Sequence, residues 1–164
     1  MNSNSFSAQI IILLVVSFVF SLGFNAIRSD GIPLIASKQI IKGGQSVADS
    51  LLSESTFLFE PIMIDLSIAK EFYDKDILFI DARDEKEFKE AHIKGAKLAP
   101  AILGEVLKWT SSEYDPIVTY CGGGQCDLSM SVARELMGEN WGFNRVFVFE
   151  GGLPEWIAAK YPVE

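Results

Sequence analysis

The chain has 164 residues, a formal net charge of −8, a hydrophobic fraction of 49% and 22% charged residues. That is one domain with a tail, too short for two ordinary domains and too apolar for wholesale disorder. The acidic balance argues against nucleic acid as a partner and against docking onto anionic lipid by charge alone. Two cysteines, Cys121 and Cys126, exclude a disulfide-rich scaffold, and a single histidine, His92, excludes a His-rich metal site.

From Ile10 to Phe24 the chain reads IIILLVVSFVFSLGF, with no charge. Flanked by Phe6, Ala8 and Ile27, the apolar stretch is about 20 residues long, which as a helix matches a hydrocarbon core of about 30 Å. It has no polar face at helical period, so a core helix is a poor reading. No Lys or Arg precedes it, which is unusual for a signal peptide, although Ser21 and Gly23 offer small residues before a cut. The expectation is a single-pass membrane anchor over residues 1–27, with a cleaved signal as the alternative. Arg28, Lys38 and Lys42 all follow the run, and the positive-inside rule then keeps the rest of the chain in the cytoplasm. The bias rests on few charges, with Asp30 among them, and the side stays open.

Residues 28–61 carry Gly31, Pro33, Gly43, Gly44 and several serines without a sustained period, as expected of a juxtamembrane linker with one short helix around Val47–Leu52. From there to residue 164, strands and helices alternate. Ser67 is positioned to cap a helix from Ile68 to about Tyr73. Ile77–Ile80, Ile117–Tyr120 and Val146–Phe149 are short apolar runs typical of buried parallel strands. Asp84–Ala91, Ala101–Trp109 and Asp127–Met137 read as helices, the last with Leu128, Val132, Ala133 and Leu136 as its apolar face. After a Gly151-Gly152 turn, Pro154 opens a final helix holding Trp156. The pattern predicts an α/β domain over residues 62–164, with a central parallel sheet flanked by helices.

The chemistry gathers after the Ile117–Tyr120 strand, in Cys121-Gly122-Gly123-Gly124-Gln125-Cys126-Asp127. Ligands of open parallel sheets bind beyond the carboxyl ends of the strands. Three glycines let the chain curl through positive φ, aiming backbone N–H groups inward as an anion nest, and the following helix adds its N-terminal partial charge. Both effects favour a thiolate at Cys121, as a nucleophilic cysteine requires. The plainer alternative, a structural cysteine beside a flexible turn, needs no run of glycines. Two thiols with no neighbouring His are too few ligands for a metal, and no cofactor is implied.

Asp81-Ala82-Arg83, Glu87-Phe88, His92-Ile93-Lys94-Gly95-Ala96 and Pro100, together with the Tyr120-Cys121 loop and the closing Glu150-Gly151-Gly152-Leu153-Pro154-Glu155-Trp156, resemble the ordered signatures of rhodanese-like domains. The resemblance implies a small α/β fold in which Cys121 accepts sulfane sulfur as a persulfide and passes it to a thiol or other nucleophile. It thus implies a sulfane-sulfur donor and a thiol acceptor as partners. The backbone of Gly122, Gly123, Gly124, Gln125 and Cys126 would steady the anion, and Asp81 and Arg83 would pair below the loop. His92 is expected to anchor the turn before Gly95.

Three departures from the family pattern stand out. Ala91 replaces the usual Gly before His-Ile. Cys126 stands where many active members carry Arg, and Asp127 where Ser or Ala is common. Loss of the Arg, with a carboxylate beside it, weakens the case for an anionic donor such as thiosulfate; Asp127 is expected to spend its charge as a helix N-cap. Phosphatases of this fold class need a longer loop ending in Arg, and Asp127 opposes phosphate. Cys126 reads either as a resolving thiol for a Cys121 persulfide or as a small space-filling residue. The competing functions are a dithiol–disulfide redox protein for a membrane partner and a catalytically silent binding module.

Overall fold

The structure, a computed structural model, describes residues 3–27, 40–53, 58–99, 110–124 and 126–164, with side chains of the first helix given for 8–24. The chain divides into two compact units, Met1–Lys38 and Gln39–Glu164. The expected helix over Ala101–Trp109, Pro100, Gln125 and the first part of the expected linker, 28–39, lie outside the described residues.

The first unit holds α1 (Ser3–Ile27). Ile12, Leu13, Val16, Val19 and Phe20 are all more than half exposed, so the apolar side chains are not laid against a core of their own. Among the described residues, however, no helix is long and apolar enough to cross a membrane. This departs from the expected anchor over 1–27.

The second unit is built on six parallel strands: β1 (Ile40–Ile41), β2 (Ile62–Ile64), β3 (Leu78–Asp81), β4 (Lys97–Leu98), β5 (Ile117–Tyr120) and β6 (Val146–Phe149). Their order in the sheet is β1-β2-β6-β5-β3-β4. Every pairing is parallel, and Cys121 leaves the C-terminal end of the central strand β5. The helices are α2 (Gln45–Leu51), α3 (Leu66–Asp74), α4 (Glu85–Glu90), α5 (Leu128–Met137) and α6 (Gly152–Ala158).

Side chains alternate across the sheet with period two, and each face carries a core. Ile64, Phe79, Val118, Tyr120, Phe147 and Phe149 join Ala48 of α2, Ile68 and Phe72 of α3, and Leu153 and Trp156 of α6. Met63, Ile80, Ile117, Val146 and Val148 pack with Ala133 and Leu136 of α5 on the other face. Strands buried on both faces read as near-continuous apolar runs, which is why β5 and β6 fall where the sequence puts them.

Local chemistry shifts other boundaries. Asp65, not Ser67, caps α3: its carboxylate accepts from the Ile68 N–H at 3.0 Å, while the Ser67 hydroxyl donates to the Gly43 carbonyl and to Asp65. The stretch expected as a linker holds the short helix foreseen near Val47–Leu52, as α2 with its Ala48 fully buried, and also β1, which pairs with β2. A two-residue edge strand has too short a period to be seen in sequence. The buried face of α5 is Ser129, Ala133 and Leu136 rather than one led by Leu128, which is exposed. α6 begins at Gly152, ahead of Pro154.

Candidate functional site

Cys121 follows Tyr120 out of the sheet and is 2% exposed. The loop after it curls as three glycines permit: Gly123 and Gly124 take φ of +77° and +66°, values that an L side chain adopts only at a cost. The Cys126 N–H donates to the Gly123 carbonyl at 3.4 Å, closing the turn. This return brings Cys126, half-buried, to a Cα–Cα distance of 6.5 Å from Cys121, and the two sulfurs are joined in a disulfide.

The loop rests on the turn between β6 and α6. Leu153 N–H donates to the Cys121 carbonyl at 3.0 Å. A Cβ on Gly152 (φ +59°) would stand 2.3 Å from that same carbonyl oxygen and 2.5 Å from the Gly123 nitrogen. A Cβ on Gly123 would lie 2.4 Å from the Gly151 oxygen. The two glycine segments of the sequence therefore serve one purpose, the close approach of two backbones.

Beside Tyr120, the residue before Cys121, lies a buried polar unit at the end of β3. Arg83 bonds Asp81 through Nε and Nη2, the latter at 2.6 Å, and Nη2 also donates to the Ala91 carbonyl at 2.7 Å. Burial works against the Arg83 charge, but the hydrogen bond and charge of Asp81 outweigh it and raise its pKa. The Tyr120 hydroxyl accepts from the Ile93 N–H at 3.1 Å. Burial, then the Asp81 carboxylate, push that phenol far above its ordinary range, so it stays protonated. Asp81 and Arg83 thus pair as expected. Ala91 at φ −169° is in extended backbone that any residue adopts, so replacing Gly there costs nothing.

His92 is an anchor: Nδ1 lies 2.8 Å from the Phe88 carbonyl, Nε2 3.3 Å from Glu164, and the ring stacks on Phe88 at 3.7 Å between centroids. Arg134 is exposed on α5, 3.7 Å from Glu60. Trp156 is fully buried and donates to the Pro162 carbonyl at 2.9 Å.

Two findings at the loop end were not foreseen. Asp127 occupies the N-cap position of α5 but its side chain makes no capping bond; φ −90° and ψ 0° are already helical, whereas a capping side chain works from extended backbone. Its carboxylate is exposed, with the charge unspent on the helix. Ser129, 3% exposed, sits with its Oγ 3.4 Å from the Cys121 sulfur. A serine at i on a helical face completed by Ala133 and Leu136 at i+4 and i+7 is a legible signal: a polar group turned inward needs a partner. Among the described residues no group of three or more His, Cys, Asp or Glu gathers as a metal site.

A buried cysteine at a strand end, tied to a second by a glycine curl, can react as a nucleophile once reduced and can close on its neighbour. The model of the rhodanese-like domain matches residues 67–159. Among curated proteins none matches significantly. Among solved structures, the BH2092 protein from Bacillus halodurans is 28% identical with a TM-score of 0.52, over 61% of this chain and 74% of that one. A rhodanese-like domain from the Anabaena sp. Alr3790 protein is 24% identical with a TM-score of 0.50, over 61% of this chain and 76% of that chain. A thiosulfate sulfurtransferase from Pseudomonas aeruginosa is 20% identical with a TM-score of 0.53, over 64% of this chain but 20% of that one, a likeness of fold alone. With the family model covering more than half of its length and the cysteine loop at the end of β5, the chain belongs to the rhodanese-like family.

Proposed function

We propose that the domain is a sulfurtransferase or persulfide carrier in which Cys121 accepts sulfane sulfur and Cys126 resolves it. The thiolate of reduced Cys121 attacks the outer sulfur of the donor, the donor's remaining fragment leaves with the bonding electrons, and Cys121 carries a persulfide. An external thiolate takes the terminal sulfur, or the Cys126 thiolate attacks the inner sulfur. In the second case the products are hydrogen sulfide and the Cys121–Cys126 disulfide. The observation that carries this reading is the 6.5 Å Cα separation of two cysteines bridged by the glycine curl at the end of β5. Mass spectrometry of the reduced protein after exposure to thiosulfate and to a small alkyl persulfide tests it. A mass gain of one sulfur on Cys121 is expected, and no gain with either donor refutes it. In Cys126→Ser the persulfide should persist longer than in the wild type; equal decay in both removes Cys126 from the mechanism.

A dithiol–disulfide redox protein is the second reading, favoured by the disulfide itself. It predicts reversible closure by mild oxidation with no persulfide on Cys121 under any donor.

Membrane attachment through the N-terminal run, with the domain on the cytoplasmic side, belongs to the same proposal and rests on sequence alone: the charge-free stretch Ile10–Phe24 and the cations after it. Full-length protein should stay with membranes through an alkaline wash. Recovery in the soluble fraction, with a new N-terminus near Phe24, refutes it.

A further inference from the structure

We propose that the Cys121–Cys126 disulfide is opened from one side only: an external thiol attacks the Cys126 sulfur, and Cys121 departs as a thiolate that receives a hydrogen bond from Ser129. The inference rests on the proposed chemistry of the cysteine pair and adds the direction of its reset and a positioning residue for it.

Access sets the direction. Cys121 is 2% exposed, covered by the turn whose Leu153 N–H holds its carbonyl, whereas Cys126 is half-buried at the outer end of the curl. Exchange requires the attacking thiolate to approach the struck sulfur along the S–S axis, opposite the leaving sulfur, so the more open cysteine is struck and the covered one leaves.

The leaving sulfur is provided for. Ser129 Oγ lies 3.4 Å from the Cys121 sulfur, and a disulfide sulfur has no proton to give, so the hydroxyl is the donor in this form. The residue cannot swing away. It is 3% exposed, and its backbone carbonyl accepts from the Thr119 Oγ1 at 2.9 Å, which ties the first turn of α5 to β5. The other polar atom at the sulfur is the Cys126 carbonyl oxygen, also at 3.4 Å, which opposes negative charge.

The charged groups around the loop do not replace the serine. Asp127 opens α5 with a free carboxylate. Glu150 precedes the turn that supports the loop and Glu155 lies in α6, its carboxylate over Gly151. The Arg83 guanidinium is bonded to Asp81. These carboxylates give a thiolate no support, whereas the Ser129 hydroxyl, 3.4 Å away, can donate to it.

The step balances. A thiolate RS⁻ forms an RS–S bond to Cys126 as the Cys126–Cys121 bond breaks, and the electron pair leaves on Cys121. A second thiolate attacks the RS sulfur of the mixed disulfide, giving RS–SR and the Cys126 thiolate. Two thiols are oxidised as one protein disulfide is reduced.

The experiment uses the oxidised full chain and glutathione, quenched early with iodoacetamide and mapped by peptide mass spectrometry. Glutathione is expected on Cys126 and carbamidomethyl on Cys121. Glutathione mainly on Cys121 overturns the direction, and this result needs no variant.

For the serine, the pH profile of Cys121 alkylation is measured in a Cys126→Ser background. Ser129→Ala should raise the midpoint by about one pH unit, as expected for loss of one hydrogen bond to a charged group, and slow disulfide opening about tenfold in the otherwise wild-type chain. Ser129→Thr, which keeps the hydroxyl, should restore both. An unchanged alkylation midpoint in a folded Ser129→Ala protein overturns the role of Ser129. Persulfide loading, measured separately on reduced protein, distinguishes the failures: attack mapped to Cys121 with loading intact sinks this inference alone, whereas loss of loading with attack at Cys126 sinks sulfur transfer alone.

Discussion

Gly152→Ala should disable the loop without touching either cysteine. Gly152 has φ +59°, and an added Cβ would stand 2.3 Å from the Cys121 carbonyl oxygen and 2.5 Å from the Gly123 nitrogen. Both atoms are backbone and cannot rotate aside, so the loop itself must move. The left-handed conformation costs an L residue about 1–2 kcal/mol. Losing the Leu153 N–H bond to the Cys121 carbonyl adds about 0.5–1.5 kcal/mol, and displacement of the loop brings the total to about 2–4 kcal/mol. With a urea slope of about 2 kcal/mol per molar, the midpoint should fall by about 1–2 M. Gly124→Ala is the control: its φ is +66° but nothing lies within 4 Å of the new methyl, so it should show the conformational cost alone, about half as much. Urea unfolding followed by fluorescence, and persulfide uptake by mass spectrometry, read the two consequences. If Gly152→Ala unfolds at the wild-type midpoint and takes up sulfur at the wild-type rate, the two backbones do not depend on each other and the account of the loop is wrong.

Tyr120→Phe should destabilise the domain by about 1–3 kcal/mol, because it leaves the buried Ile93 N–H without its acceptor; an unchanged urea midpoint would contradict this. Replacing Cys126 by Arg together with Asp127 by Ser should raise thiosulfate turnover about tenfold or more, the worth of one charge-assisted hydrogen bond in the transition state, and a folded double variant no faster than the wild type would remove charge from the explanation. The Gly95 N–H bond, ahead of the His92 charge, holds the Glu164 pKa below its usual 4.5. A depressed carboxyl pKa stabilises the fold above the unfolded-state value and loses that contribution as pH falls through the folded one. The Glu164 contact should therefore persist at pH 5 and loosen only below about 4.3, seen as faster hydrogen exchange at Gly95. Loosening already above pH 5 would refute the sign.

The legible parts of the fold were those whose physics is local or periodic. Ile117–Tyr120 and Val146–Phe149 declare themselves because strands covered on both faces are almost wholly apolar, with Thr119 as the exception that donates to the Ser129 carbonyl. Cys121, the glycines and Cys126 declare themselves because positive φ and a close backbone approach leave glycine as the economical choice. What the sequence could not reveal depends on partners distant along the chain. β1 is two residues long and is defined by β2, more than twenty residues away. Asp65 and Ser67 compete for one cap, and the Gly43 carbonyl, supplied by another segment, takes the Ser67 hydroxyl. Ser129 shares the inward face of Ala133 and Leu136, but its partner, the Cys121 sulfur, comes from the end of β5 and is not given by the helix spacing. The N-terminal run is the opposite case: its composition is plain, but composition does not say what the helix lies in.

The two substitutions at the loop end act in the same direction. Against the family pattern that the sequence resembles, Cys126 removes a cation that would hold a small anionic donor, and Asp127 adds a carboxylate that makes no capping bond to the helix. In the proposed scheme both changes lower the local affinity for thiosulfate. One of them also sets a second thiol within disulfide reach of Cys121. A persulfide formed there is then exposed to attack from inside the loop, and internal attack needs no second encounter in solution. Under the proposed function such a site would release sulfide by closing on itself and could not accept sulfur again until a thiol reopened it. In the proposed scheme its turnover therefore depends on a reductant as much as on a donor, and that reductant enters by way of Cys126, because in the disulfide the approach to Cys121 along the S–S axis, opposite the Cys126 sulfur, is covered.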